Sequence, residues 1–257
     1  MTARSMRTAT LAALTGALLL SPMPAGAADL KVLTAGAMKA VVIALQPEFE
    51  KTSGHQLVID NDTAGGLAKR IGGGEAFDVA IITPGVVADL AKSGQIVAGS
   101  GISVAKVGVG VAIKEGAPKP DISTVDGFKR ALLAAKTVGY IDPKSGGSSG
   151  IYVAGLLQKL GIAEEIKPKE RLQMGGYIAE LAAKGEADIV IHQISEILPV
   201  KGAILVGPLP AEIQNYTTYA AGLSTATKDA AAARALIEHL KGPAATEVLK
   251  QKGMERP

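Results

Sequence analysis

Four short stretches of this chain join small and hydroxyl residues to the start of a helix-periodic apolar segment. They are Thr34-Ala35-Gly36-Ala37-Met38, Asp62-Thr63-Ala64-Gly65-Gly66, the run from Asp142 through Ser145, Ser148 and Ser149 to Gly150, and Met174-Gly175-Gly176-Tyr177. The chemistry open to such stretches is anion binding. A helix N-terminus offers unpaired backbone N–H groups and the positive end of the helix dipole, and small side chains let a ligand reach them. A turn with its helix cap uses the same residue types, and that is the plainer reading of any single stretch. Four of them, two in each half of the chain, favour a shared anion site. His192 follows the apolar run 188–191, a polar group at the end of a buried strand. It can donate to an anion or sit hydrogen-bonded in a core. His55 falls in a turn and His239 on a solvated closing helix. Thr34, Thr63 and Thr83 are expected to face Ser145, Ser148, Tyr177 and His192 across one pocket. Backbone N–H groups near Ala37, Gly65, Ser149 and Gly176 are expected to point inward.

Catalysis finds little footing among these residue types. The chain has three scattered His, no Cys and no His-Glu-x-x-His, so metal hydrolysis lacks ligands. The glycine-rich run ending at Gly150 lacks the lysine of a phosphate loop, and no Gly-x-Gly-x-x-Gly opens a helix after a strand, which disfavours nucleotides. Asp62, Asp78 and Asp142 lie near strand ends, but spacing alone assigns them no paired role. Aromatic residues make up 3% of the chain, with no Trp, which argues against a sugar-stacking platform. The expectation is a binding protein rather than an enzyme, with no catalytic residue, no metal and no cofactor.

The elements that would position these stretches alternate in type. Apolar strands at 30–34, 56–60 and 77–82 are separated by helices at 38–51, 66–71 and 84–93. A long Val/Gly-rich strand, 104–113, leads into a second set. There, helices at 125–135, 149–160 and 177–184 accompany strands at 137–141, 187–191, 204–206 and 216–223. Helices at 228–241 and 244–252 close the chain. Strands apolar on both faces, with helices between them, indicate parallel sheet covered on both sides. Two such sets imply two lobes. The closing helices have no further strands to cover, so the chain should return to the first lobe around 220–224. The expected division is 28–106 plus 223–257 in one lobe and 107–222 in the other, with two hinge crossings.

The N-terminus reads as an export signal. Arg4 and Arg7 precede the uncharged apolar run 10–20, and Ala25-Gly26-Ala27 supplies small residues for cleavage after Ala27. That run is shorter than the roughly 20 residues of a membrane span. Residues 1–27 are therefore a signal peptide, and the protein is expected in the periplasm. Without them the chain carries 25 Lys and Arg against 24 Asp and Glu. So even a balance, with no basic tract, argues against nucleic acid as a partner.

The order of Thr34-Ala35-Gly36-Ala37-Met38, Thr63-Ala64-Gly65-Gly66-Leu67-Ala68-Lys69-Arg70 and Phe77-Asp78-Val79-Ala80-Ile81 resembles the periplasmic molybdate-binding proteins of ABC transporters. So do Asp142-Pro143, Ser149-Gly150-Ile151-Tyr152, Leu157-Gln158-Lys159-Leu160-Gly161 and Gly185-Glu186-Ala187-Asp188-Ile189. The resemblance covers nearly the whole chain after residue 27. It implies an α/β, two-lobed periplasmic binding protein fold of type II. It also implies a monomeric receptor that takes a small anion to an ABC transporter permease in the inner membrane. In that family, serines before the first helix and in the second loop donate hydroxyls to the oxyanion. The matching positions here are Ala37 and Ala64, and His192 stands where a tyrosine is usual. These departures favour a small organic di- or tricarboxylate over a molybdate- or tungstate-type oxyanion. An exported α/β enzyme and the ligand-binding partner of a sensor are the rival classes.

Overall fold

The computed structural model describes residues 29–257; the expected signal peptide lies outside the described residues. The first half runs β1 (Asp29–Ala35), α1 (Gly36–Ser53), β2 (Gln56–Asp62), α2 (Ala64–Gly72), β3 (Val79–Ile82) and α3 (Pro84–Lys92). A 13-residue strand, β4 (Ile102–Lys114), leads to α4 (Val125–Ala134), β5 (Val138–Ile141) and α5 (Ser148–Lys159). Then come α6 (Ala163–Ile166), β6 (Glu170–Gln173), α7 (Ala179–Lys184), β7 (Ile189–Gln193), α8 (Ile194–Ile197) and β8 (Ala203–Pro208). The chain closes with β9 (Tyr216–Leu223), α9 (Ala230–Lys241) and α10 (Pro243–Gln251).

The strands form one continuous ladder in the order β2-β1-β3-β9-β4-β7-β5-β6, with β8 paired to β4. Pairing is parallel between β1 and its neighbours β2 and β3, and between β5 and its neighbours β6 and β7. It is antiparallel wherever β4 or β9 takes part. The parallel sheet read from apolar strands therefore holds inside each half, and two long antiparallel strands join the halves.

β4 changes partners along its length. Residues 102–108 pair with β9, and the remainder pairs with β7 and β8. The apolar cores divide at the same place: Val107 packs in one cluster and Val109 in another. The first cluster holds Leu33, Val41, Leu67 and Ile81, together with Tyr219 and Leu223 of β9. It also takes in Leu236, Leu240 and Leu249 of the closing helices, which pack on α1. Arg256 ties the C-terminus to that half by donating to the carbonyls of Val104, Leu240 and Gly242. We propose that the chain passes between halves at Gly108 and again between Ile213 and Tyr216. The second passage is earlier than the boundary at 223 expected from pattern. The reason is that β9 is apolar from Tyr219 onward and spends those residues in the first core.

Candidate functional site

A narrow pocket opens between the halves, at the ends of the strands. The first half contributes the junction of β1 with α1, at Ala35, Gly36 and Ala37, and the junction of β2 with α2, from Asn61 to Ala64. The second contributes Gly147, Ser148 and Ser149 at the start of α5, and the loop glycines Gly175 and Gly176. His192 of β7, Glu196 of α8 and Tyr219 of β9 form its floor. The junctions at α1, α2 and α5 are helix starts, where the first backbone N–H groups have no partner within their own element.

The helix starts are not equivalent. Thr63 caps α2 itself, its Oγ1 accepting from Gly66 N–H at 3.0 Å. Neither α1 nor α5 has a side-chain cap, and both open onto the pocket. Their first N–H groups are thus the available anion donors. No Lys or Arg side chain lines the pocket among the described residues.

The floor is a polar network in a dry setting. His192, 2% exposed, has Nδ1 3.0 Å from Ser149 Oγ. Its Nε2 lies 3.4 Å from Glu196 Oε1, outside hydrogen-bond geometry, and has no hydrogen-bond partner among the described residues. Gln193 donates from Nε2 to Thr217 Oγ1 at 2.9 Å and Ser148 Oγ at 3.3 Å, leaving its Oε1 unpaired. Ser195 Oγ is also buried without a partner among the described residues. Orphaned polar atoms are rare in folded proteins, and of these three residues His192 lines the pocket. Tyr219 places its hydroxyl 3.5 Å from Ser148 Oγ. Burial first, and then the Glu196 carboxylate, push its phenol well above the ordinary value, so it remains a donor at neutral pH. The same two causes raise Tyr177.

Across the mouth the halves touch directly. Thr63 Oγ1 donates to Ser145 O at 2.6 Å, and Gly65 N–H donates to Gly146 O at 3.2 Å. A Cβ at Gly65 would meet Gly146 Cα at 2.7 Å, closer than real Cβ contacts allow, so only glycine permits this approach.

Of the residues expected from sequence, Ala37, Thr63, Ala64, Ser148, Ser149, Gly176 and His192 come together around this pocket. The others do not line it. Thr34 is fully buried and donates to Ala35 O. Thr83 precedes α3. The N–H of Gly65 is spent on Gly146, and Ser145 donates its hydroxyl to Asp142 O. Tyr177 lies against the Lys39 ammonium, 5.7 Å from its ring centroid, in a neighbouring hollow. His239 is not on a solvated face: it packs on the Phe49 ring at 5.6 Å, with Nε2 buried. Glu196 and Tyr219 also line the pocket, and neither is among the site residues expected from sequence. Glu196 follows His192 by four residues, and that spacing was the one available signal.

A family model described as bacterial extracellular solute-binding protein matches residues 30–255. The chain is 30% identical over 250 residues to a Pseudomonas protein named aconitate isomerase, covering 93% of this chain and 94% of that one. It is 31% identical over 239 residues to the molybdate-binding protein ModA of Azotobacter vinelandii, covering 89% and 90%. The solved periplasmic molybdate-binding protein of that organism superposes with a TM-score of 0.75 at 21% identity, over 89% of this chain and 99% of that one. These matches agree with the resemblance seen in the sequence and with a two-lobed binding-protein fold of type II. They correct one expectation. The sequence reading expects no catalytic role, yet a relative similar along nearly the whole chain carries an enzyme's name. On its fold and its matches, the chain belongs to the bacterial extracellular solute-binding protein family, of the ABC-importer type.

Proposed function

We propose that the pocket binds a small organic polycarboxylate of the unsaturated kind that aconitate represents. The observation that carries this reading is the unequal lining. Ala37 and Ala64 present methyl groups from the first half, and the uncapped start of α5 with Ser148, Ser149 and His192 presents donors from the second. A carbon skeleton bearing carboxylates suits one apolar wall and one donor wall, whereas a tetrahedral oxyanion needs donors all round. The relative named aconitate isomerase supports the ligand class, and interconversion of that ligand's double-bond isomers is a second use of the same pocket. The exported protein would present the ligand to a membrane permease.

The similarity to ModA favours a second reading, a molybdate-type oxyanion. A buried ligand oxygen that faces a methyl instead of a hydroxyl loses a partner, at about 1–3 kcal/mol each. Two such positions weaken molybdate by about two orders of magnitude or more. Isothermal titration with cis-aconitate, trans-aconitate, citrate and molybdate tests the choice. A polycarboxylate should bind at least about 100-fold more tightly than molybdate. Tight molybdate binding with no response to any carboxylate overturns the proposal.

A further inference from the structure

A carboxylate is out of place in a pocket that receives anions. Glu196 lines this one with its side chain 9% exposed, and the one basic side chain within 4 Å of its carboxylate among the described residues is His192, at 3.4 Å. It cannot be dismissed as a surface charge that happens to lie near. A Cβ at Gly36 would collide with Glu196 Oε1, so the carboxylate is lodged against the first turn of α1, among the donors an anion would use. Asp62 also lines the pocket, but its side chain is 37% exposed and Arg70 Nη1 stands 3.7 Å away to offset it. Among the described residues no Lys or Arg pairs with Glu196. For binding alone, the uncharged isostere glutamine would serve better, because a like charge opposes every ligand carboxylate.

Resting on the polycarboxylate reading above, we infer that Glu196 is the base that moves a proton along the bound ligand, shifting its double bond by one carbon. The substrate class is a polycarboxylate with a methylene between a terminal carboxylate and a substituted vinyl carbon. Glu196 takes one methylene proton, and the C–H electron pair spreads over the three-carbon unit and into the terminal carboxylate. The resulting Glu196 carboxylic acid returns the proton to the former vinyl CH carbon. The double bond then lies on the other side of the central carbon, its geometry set by how the flexible arm was held. No atom or electron is gained or lost, and no oxidant or co-reactant is needed.

The surroundings of Glu196 suit this task. The Ser149 hydroxyl can donate to His192 Nδ1, which leaves the ring proton on Nε2, facing Glu196. That N–H steadies the charged carboxylate between proton transfers. Charge that develops on the ligand meets the Tyr219 hydroxyl and the open N–H groups of α1 and α5, fixed donors in a water-poor site.

The test combines binding with solvent exchange. Wild-type protein and the Glu196→Gln variant are each titrated with cis- and trans-aconitate, then incubated with either isomer in D2O and followed by NMR. Wild type should place deuterium on the ligand carbons and convert one isomer to the other. Glu196→Gln should bind at least as tightly, since a like charge is gone, and exchange should fall by about 10²- to 10⁴-fold, the usual contribution of a positioned base. Wild type that binds but never exchanges overturns the inference and leaves the ligand class standing. Exchange retained in Glu196→Gln overturns it, and so does lost binding in that variant, which would make Glu196 an acceptor for a ligand hydrogen. Wild type that binds neither isomer overturns the polycarboxylate reading itself.

Discussion

On the polycarboxylate reading proposed above, Ala37 and Ala64 set the ligand class by what they withhold. Both are buried against the pocket, at 1% and 7% exposure, so a hydroxyl placed on either would sit among the donors already there. The double variant Ala37→Ser/Ala64→Ser should therefore raise molybdate affinity by about tenfold or more, each new hydrogen bond adding roughly 0.5–1.5 kcal/mol. It should lower polycarboxylate affinity by wetting the apolar wall. Titration of both ligands against both proteins checks the crossed effect, and a variant that gains nothing for molybdate contradicts it. At this scale the sequence is readable where a residue type is odd for its place. His192 drew notice because it is polar at the end of an apolar strand. Tyr219 drew none, because a tyrosine near the middle of an apolar strand reads as core. It is core too, and only the chain's path beneath Ser148 makes it a pocket residue as well.

The elements hold these residues through a few anchoring contacts, and the best developed belongs to α2. Arg70 in its last turn reaches Asp60 of β2 and both oxygens of Glu75, and Lys31 of β1 adds a second cation to Glu75 at 2.8 Å. Hydrogen bonds from Arg70 first, then from Lys31, hold the Glu75 carboxyl down to about 2. A carboxyl with a lower pKa in the folded state stabilises that state above its unfolded pKa, about 4.3, and loses the effect as pH falls through the folded value. Glu75→Gln should thus flatten the decline of thermal stability between about pH 4.3 and 2, by a modest amount because the group is partly solvated. Thermal melts of both proteins across that range measure it; parallel curves would remove the anchor's role. Most elements were legible because strand and helix periods differ along the chain. β6 was not: Glu170-Arg171-Leu172-Gln173 has no apolar run, since it pairs only with β5 at the sheet edge and has a single strand neighbour. α8 was missed because a single turn carries too little period to read.

At the scale of the molecule, Gly65 and Gly146 bring the two halves into backbone contact. Gly65→Ala puts opposite signs on two measurements. Alanine in place of glycine within a helix favours α2 by roughly 0.5–1 kcal/mol. The same methyl blocks the approach to Gly146, where backbone and not a flexible side chain stands in the way. The variant should keep or raise its melting temperature while ligand affinity falls about tenfold or more, as closure is lost. Small-angle scattering with saturating ligand should show it more open than wild type. A variant that closes normally refutes the steric account.

The bonds from Thr63 to Ser145 and from Gly65 to Gly146 contain no ligand atom. They reward closing whatever the pocket holds, and together bias it by about 1–3 kcal/mol, or roughly 5- to 150-fold. Shutting is then a poor judge of solutes. Selection falls instead on the rate of reopening: a wrong solute is shut in as readily as a right one, and is told apart by how soon it escapes.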